Sequence, residues 1–311
     1  MALNTNLTGT SGLYSAVATF YDKQFLDWLK ADLYFDQFAV KKKLPKNSGT
    51  VIQFQRYTPF GANTTALTEG TVPNGITLAS TTITATPLQY GDYVALSDLL
   101  ILEAIDPIIE SAQELLAYRA ALSLDTIIRN TLDNAVTNQF ANNVANEGLV
   151  AAAMSSAEFR RAARTLKNNK VKPFPGGEFK AIISPMQTFD LLGETGVGGF
   201  LDITKYQMPE GALKGEIGKM WGVRIVESQN VKTGTGAASA TTYHAFVFGQ
   251  GAYGIVDIEN MGLRTIRKQL GSGGAAGDPI DQIASVGYKF SHVTKVLDAN
   301  RAVEIYTTAG A

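Results

Sequence analysis

The spacing of apolar and polar residues predicts a long two-stranded hairpin in the first third of the chain. Residues 50–57 alternate with period two and place Ile52 and Phe54 on one fairly apolar side, as in a half-exposed strand. A second strand-like run covers residues 76–96, and turn-forming Gly, Pro and Asn dominate the segment between the runs. An isolated two-stranded ribbon is only marginally stable in water, so something must cover its face, and another molecule is one candidate.

A period near 3.6 residues predicts helices in the middle of the chain. The longest runs from Pro107 to about Asn134 and spans about 40 Å at 1.5 Å per residue. Asp106 and Pro107 fit its N-cap and first helical position, and a short helix after the N-cap residue Ser97 precedes it. The periodic apolar residues of the long helix are Ile108, Ala112, Leu115, Leu116, Leu122, Ile127, Ile128 and Leu132.

Two further helices are predicted from their first residues. Ser155 and Glu158 have the spacing of a capping box, and the helix continues through RRAARTLKNNK. Pro185 begins a helix that runs through MQTFDLLG. The later segments alternate short apolar strands with glycine-bearing turns: FKAIISP, GVRIVES, YHAFVFGQGAYGIVDI, LRTIRKQL, IASVGYKF and RAVEIYT. The fold class is therefore α+β.

The N-terminal part of the chain has two sections of different composition. The first 20 residues are rich in Thr, Ser, Asn and Gly with few apolar anchors, which predicts a mobile arm. Residues 18–40 carry many aromatic side chains near helical spacing. A helix packed in the core of the same chain is favoured for this section over a strap between subunits.

Composition excludes several classes of function. The chain has 27 basic and 28 acidic residues, a formal net charge of -1, and therefore no general attraction for nucleic acid or anionic membranes. Acidic residues interrupt the longest apolar stretch, residues 93–109, and the N-terminus lacks a secretory signal pattern. The absence of cysteine excludes disulfides and thiolate metal sites. We expect a soluble protein that is made in the cytoplasm and does not bind a membrane.

One basic segment stands out against this neutral background. It follows the capping-box position and contains Arg160, Arg161, Arg164, Lys167 and Lys170. A solvated helix face explains it most simply, and contact with bound or packaged nucleic acid is the alternative.

The motifs of common enzymes are incomplete. The glycines of KQLGSGGAAGDPIDQ match a dinucleotide-binding spacing, but Pro279 and a following strand occupy the place of the required helix. Met220 follows Gly218-Lys219 where a phosphate-binding loop needs a hydroxyl. The two histidines, His244 and His292, lie in strand-like runs, and no serine elbow occurs. We predict no enzymatic activity, no catalytic residue, no cofactor and no metal site.

Several long blocks in register resemble a known family. They are LPKNSGTVIQFQRYTP, LTEGTVPNGITLASTTITATPLQYGDYVALSDLLILEAIDP, LDTIIRNTL, GEIGKMWGVRIVES, FVFGQGAYGIVDI and KQLGSGGAAGDPIDQIASVGYK. Together they resemble a branch of the major capsid proteins of tailed bacteriophages with the Hong Kong 97-type fold. The resemblance runs in order from about Tyr21 to Ile305 and covers nearly the whole chain.

The resemblance implies a division of the chain into four parts. Residues 1–45 would form the N-terminal arm and helix, and residues 46–93 the extended β-hairpin loop that lies over a neighbouring subunit. Residues 94–180 and 255–311 would form the peripheral domain around the long spine helix. Residues 181–254 would form the axial domain, which points toward the centre of the capsomer.

The resemblance also implies a function and a set of partners. Many copies would assemble as hexamers and pentamers into an icosahedral shell around double-stranded DNA, without sequence-specific binding, in the cytoplasm of the host. We expect a separate scaffolding protein, because little sequence precedes the extended loop, together with a portal protein and, in some particles, a decoration protein. We predict no Lys–Asn cross-link. The alternatives are the shell of an encapsulin-like protein compartment and a nucleic-acid-binding module.

Five charged residues are candidates for ion pairs between subunits. Arg56 and Glu69 belong to the extended loop, and Arg264, Arg267 and Lys268 belong to the late strands. Ordinary surface charge is the alternative for each of them.

Overall fold

The computed structural model describes residues 33–45, 49–103, 108–194, 216–258, 262–268 and 282–309. The predicted N-terminal arm, the predicted N-cap at Asp106 and Pro107, and the glycine-rich loop at 271–277 lie outside these residues.

The described elements are those of an α+β protein, as predicted. The helices are α1 (Asp98–Glu103), α2 (Ile108–Leu132), α3 (Ser156–Asn168) and α4 (Pro185–Leu192). The strands are β1 (Val40–Leu44), β2 (Ile52–Tyr57), β3 (Ser80–Ala85), β4 (Leu88–Ser97), β5 (Thr137–Phe140), β6 (Phe179–Ile183), β7 (Glu216–Met220), β8 (Val223–Glu227), β9 (Thr233–Thr235), β10 (Thr241–Phe248), β11 (Tyr253–Ile258), β12 (Arg264–Lys268), β13 (Ile283–Val296) and β14 (Ala302–Thr308). None of the described helices has the length and apolar character needed to cross a membrane.

Each face of the larger sheet carries a buried apolar cluster. Its strand order is β5-β14-β10-β6-β8-β7, with β9 paired to β10. Ala181 and Ile183 of β6 pack in one cluster with Phe159 of α3. Ile182, between them in sequence, packs in a second cluster with Phe35. Strand β6 is buried along its whole length, which explains the continuous apolar run in its sequence.

The smaller sheet is built around the long strand β13. Its order is β1-β11-β13-β12, and β4 also pairs with β13. Gly287 allows the close pairing of β13 with β4, because a Cβ atom there would lie 2.9 Å from the Asp92 carbonyl oxygen. The 10-residue strand β4 thus belongs to this sheet, and the hairpin predicted from the sequence consists of β2 and β3 alone.

Helix α2 connects the two sheets, as a helix of its predicted length can. Near its middle, Ala117 and Ala120 pack in one cluster with Tyr288 of β13. Nearer its end, Ile128 and Leu132 pack in another cluster with the aromatic residues of β10. The small alanine side chains allow the helix to approach the sheet closely.

The two predicted helix starts gave different outcomes. Ser155 is the N-cap residue of α3, but its side chain makes no capping hydrogen bond, so the predicted capping box is wrong. The Glu158 carboxylate turns inward instead and accepts hydrogen bonds from Gln139 Nε2 at 2.8 Å and from the Asn142 amide at 3.2 Å. At α4, by contrast, a capping box is present between Ser184 and Gln187, and Pro185 begins the helix as predicted.

A buried carboxylate holds the first described turn of the chain against α2. Asp125 is 1% exposed, and its Oδ1 accepts hydrogen bonds from the amides of Phe35 at 2.8 Å and Tyr34 at 3.1 Å. Asn230 donates to the other carboxylate oxygen at 3.1 Å. Burial raises the pKa of Asp125, and these hydrogen bonds oppose that rise. A single side chain therefore satisfies three donors from two distant segments.

A second buried network joins the end of α2 to the larger sheet. His244 of β10 lies with Nδ1 3.0 Å from Glu304 of β14 and 3.2 Å from Asp133, which follows α2. Its Nε2 lies 3.0 Å from Glu147. Lys232 bonds to Asp133, and the Tyr306 ring lies beside the imidazole. The imidazolium form can donate to carboxylates from both ring nitrogens.

The pKa values in this network favour a retained proton. Burial lowers the pKa of His244, but hydrogen bonds to Glu304 and Glu147 outweigh burial and hold the pKa above its ordinary value of 6.5. Burial raises the pKa of Glu304 above its ordinary value, despite its bond to His244. The folded protein therefore binds a proton in this pair more tightly than the unfolded chain does.

Replacing Asp125 by Ala is expected to destabilise the fold. The Phe35 amide and the other donors would lose their acceptor inside the protein, which costs about 2 to 4 kcal/mol of the free energy of unfolding. Urea unfolding followed by circular dichroism measures the loss. Asp125→Asn keeps one acceptor oxygen and should lose less. Equal stability of wild type and the Ala variant would contradict the role assigned to this carboxylate.

The network at His244 is expected to make stability depend on pH. Because the pKa of His244 is higher in the folded protein than in the unfolded chain, its protonation stabilises the fold fully below about pH 6.5. This stabilisation is lost as the pH rises through the pKa of the folded state. The melting temperature should therefore fall above about pH 6.5. Glu304→Gln, which removes the main anionic partner, should move this fall to lower pH.

The control for this experiment is the other histidine, His292. His292→Asn should leave the pH dependence in place. An unchanged pH profile in Glu304→Gln, or loss of the profile in His292→Asn, would contradict the assignment.

Candidate assembly surface

The hairpin of β2 and β3 is anchored to the smaller sheet only at its base. The strands pair in antiparallel register from Ile52 opposite Ala85 to Tyr57 opposite Ser80. Phe54 is 5% exposed and packs in the cluster that contains Leu44 and Val256 of the smaller sheet. Residues 58–79 extend beyond the paired strands, and every one of them is exposed.

The end of the hairpin carries apolar side chains that its own chain leaves in water. Their exposed fractions are 57% for Tyr57, 55% for Phe60, 74% for Leu67, 90% for Val72, 66% for Ile76 and 60% for Leu78. Single exposed apolar residues are common, but a concentration of them on one projection is characteristic of an interaction surface. The geometry of the hairpin thus favours burial against another molecule.

Two helices add further exposed apolar residues. On α2, Leu115 and Tyr118 are exposed, although the sequence pattern placed Leu115 in the buried stripe. On α4, the exposed residues Met186, Phe189 and Leu192 lie at spacings of three and so share one side of the helix. This α4 stripe was not predicted from the sequence, and the recurrence of apolar residues at every third position was the available signal.

Two of the five predicted ion-pair residues lie on or beside the hairpin. Glu69 is exposed in the turn at its end. The Arg56 guanidinium lies 2.9 Å from Asp298 of the same chain, so its charge is already paired within the subunit. A role for either residue between subunits stays a prediction.

The other three residues lie together on β12, which is at the edge of the smaller sheet. Arg264 and Lys268 are exposed and Arg267 is half-buried. Ile266 is 46% exposed on the same strand, so this edge combines charge with an apolar side chain. A role for these three residues between subunits stays a prediction.

One cluster of the described residues has a spacing that could hold a cation. Asp133, His244 and Glu304 place their ligand atoms within 4.8 Å of one another. The hydrogen bonds of the His244 network, with the Lys232 ammonium group on Asp133, already account for these short distances. The cluster therefore acts as a proton-holding network, and the absence of a metal site stays a prediction.

Comparison with sequence profiles identifies one family. The sequence profile described as "Phage capsid protein" matches residues 80–305. No curated protein sequence matches significantly.

Solved capsid structures share the fold at low sequence identity. The capsid of Ralstonia phage GP4 is 15% identical with a TM-score of 0.66, and the match covers 90% of this chain and 92% of that chain. The capsid of the cyanophage P-SCSP1u is 17% identical with a TM-score of 0.62, and the match covers 90% of this chain and 89% of that chain. A virus-like particle from Pyrococcus furiosus is 9% identical with a TM-score of 0.55, and the match covers 93% of this chain and 99% of that chain.

These observations converge on a structural protein. The α+β class agrees with the fold that the sequence resemblance implied. The profile match spans well over half of the chain, and the structural matches extend over most of it. The chain therefore belongs to the phage capsid protein family and is a capsid shell protein with the Hong Kong 97-type fold.

Proposed function

We propose that the protein is the major capsid protein of a tailed bacteriophage, and that it assembles as hexamers and pentamers into an icosahedral shell around double-stranded DNA. The observation that carries this proposal is the exposed apolar end of the hairpin, from Tyr57 to Leu78. Burying a Leu- or Phe-sized side chain contributes about 1.5 to 3 kcal/mol, so several such residues supply a substantial contact when a neighbouring subunit covers them.

The division into domains that the resemblance implied needs one change, an enlarged axial domain. Strands β5 and β14 pair with each other and β14 pairs with β10, so the larger sheet draws on segments outside the range 181–254. We propose that the axial unit contains the whole larger sheet with α3 and α4. The exposed stripe on α4 would then meet the neighbouring subunit around the capsomer axis. Heterologous contacts of this kind close into rings when the rotation allows.

The remaining partners follow from the same proposal. A separate scaffolding protein would direct curvature, a portal protein would replace one pentamer, and a decoration protein would bind some shells. The shell would form in the host cytoplasm and become part of the virion. It would enclose DNA without reading its sequence.

The shell of a protein compartment is a second candidate. Its support is the similarity of fold to the virus-like particle from Pyrococcus furiosus. The two candidates differ in their contents. Particles purified from the native source would contain double-stranded DNA under the first proposal and packaged protein under the second.

Replacing apolar residues at the end of the hairpin is expected to abolish shell formation without unfolding the subunit. The triple variant Leu67→Ser, Val72→Ser, Ile76→Ser removes three side chains that are 66% or more exposed within the chain. Each should weaken an intersubunit contact by about 2 kcal/mol. Sedimentation velocity and electron microscopy, under conditions in which wild type forms particles, measure the effect.

The matched control changes three exposed polar residues of the same hairpin, in Thr64→Ser, Thr68→Ser, Thr77→Ser. It should assemble as wild type does, and both variants should keep the wild-type circular dichroism. Shells of the first variant at wild-type yield would contradict the proposal.

Reversing the charge of Glu69 is expected to impair assembly. Glu69→Lys would place a like charge opposite its basic partner on a neighbouring subunit, whereas Glu69→Gln would only remove an attraction. The yield of shells should therefore fall in the order wild type, Gln, Lys, with unchanged circular dichroism of the subunit. Normal shell yield from Glu69→Lys would rule out an ion pair at this residue.

A further inference from the structure

Helix α3 presents a row of basic side chains on the side away from the larger sheet. Arg160, Arg164 and Lys167 are exposed, and their spacing of four and three residues puts them on one face. A second face of the helix is anchored in the core by Phe159 and Leu166, both fully buried. The orientation of the basic row is therefore fixed by packing.

The basic row borders an open groove with a volume of 670 Å³. The groove is also lined by the half-buried Arg161, by Asn142 and by Trp221. Its one acidic lining residue, Glu158, is 6% exposed and lies 3.1 Å from the Arg161 guanidinium. The carboxylate is thus directed into the protein, and the groove presents positive charge to solvent.

Trp221 occupies an unusual backbone position at the edge of this groove. It forms the tight turn between β7 and β8 with Gly222, and the two residues have φ angles of 51° and 79°. A bulky side chain with positive φ is uncommon and is found where the surroundings require it. The Arg160 guanidinium lies over the indole ring, 5.6 Å from its centroid. This stacking holds one positive charge at the edge of the groove.

The positive charge of the groove indicates an anionic partner from outside the subunit. Within the described part of the chain, no carboxylate forms an ion pair with Arg160, Arg164 or Lys167. The whole chain has a net charge of -1, so this concentration of positive charge is local. A surface of this kind attracts polyanions.

The chemistry of the groove favours phosphate over an acidic protein segment. Its lining offers guanidinium, ammonium and amide donors, and Arg160 already stacks on the Trp221 ring. Trp221 is the one large apolar side chain of this lining, and the Arg160 guanidinium lies over its ring, so a protein partner would find few apolar anchors here. From Arg160 to Lys167 the helix rises about 10 Å, enough to reach about three successive phosphates of one DNA strand.

We propose that this basic groove of α3 contacts the phosphate backbone of the DNA enclosed by the shell, without contacting base edges. The inference rests on the proposed function, because it assigns the DNA to the inside of the particle. It follows that the groove lines the interior of the assembled shell.

The test measures binding of a 30-base-pair duplex to unassembled full-length subunits by fluorescence anisotropy at several salt concentrations. The triple variant Arg160→Gln, Arg164→Gln, Lys167→Gln should reduce the slope of log K against log salt by about 2.7, since each lost phosphate contact removes about 0.9. Affinity should be independent of the duplex sequence. The matched control is Lys43→Gln, Lys289→Gln, Lys295→Gln, which removes three exposed basic residues of the smaller sheet and should keep the wild-type slope.

Three results would overturn this inference. The first is an equal slope for wild type and the α3 variant. The second is displacement of the duplex by polyglutamate at equal charge concentration, which would assign the groove to an acidic protein. The third is α3-dependent binding of duplex to the outside of closed empty shells.

Electron microscopy of the same proteins separates this inference from the proposed function. We expect both variants to form shells as wild type does, because the changed residues lie outside the hairpin. Failure of wild type to form shells in the presence of its scaffolding protein would count against the proposed function. Normal shells combined with an unchanged salt slope would count against the groove alone.

Discussion

A two-stranded hairpin cannot cover its own apolar side chains, and this limit shapes the rest of the molecule. Only the base of the hairpin, around Phe54, is buried against the smaller sheet. The apolar residues from Tyr57 to Leu78 remain in water within one subunit. The fold therefore holds an exposed apolar surface away from its core, and under the proposed function other copies of the chain would cover it.

The core of the subunit is suited to presenting such a surface in a fixed direction. Helix α2 packs through Ala120 on one sheet and through Leu132 on the other, so the two sheets share one rigid element. Asp125 ties the first described turn to this helix, and the network around His244 and Glu304 ties its end to the larger sheet. These buried polar contacts restrict how the two sheets are arranged, which is the property that a closed shell needs from each subunit.

Local patterns predicted the elements, and long-range geometry explains what they missed. Period two located β2 and period 3.6 located α2, because each pattern reflects one buried face. The box predicted at Ser155 was wrong because the Glu158 carboxylate is engaged by Gln139, a contact that spacing cannot reveal. Of the candidate surface, the turn-rich hairpin was predicted, but the exposure of its apolar residues depends on the whole fold. The groove beside Trp221 likewise joins segments that are distant in sequence.

Hydrogen exchange of the hairpin tests the central claim most directly, because it reports whether assembly covers residues 52–85. Exchange is measured by mass spectrometry on unassembled subunits and on closed shells of the same protein. The account predicts slow exchange of the hairpin in shells and fast exchange in free subunits, with the buried strand β6 protected in both. Equally fast exchange of the hairpin in both states would show that no neighbouring subunit covers it, and would contradict the account.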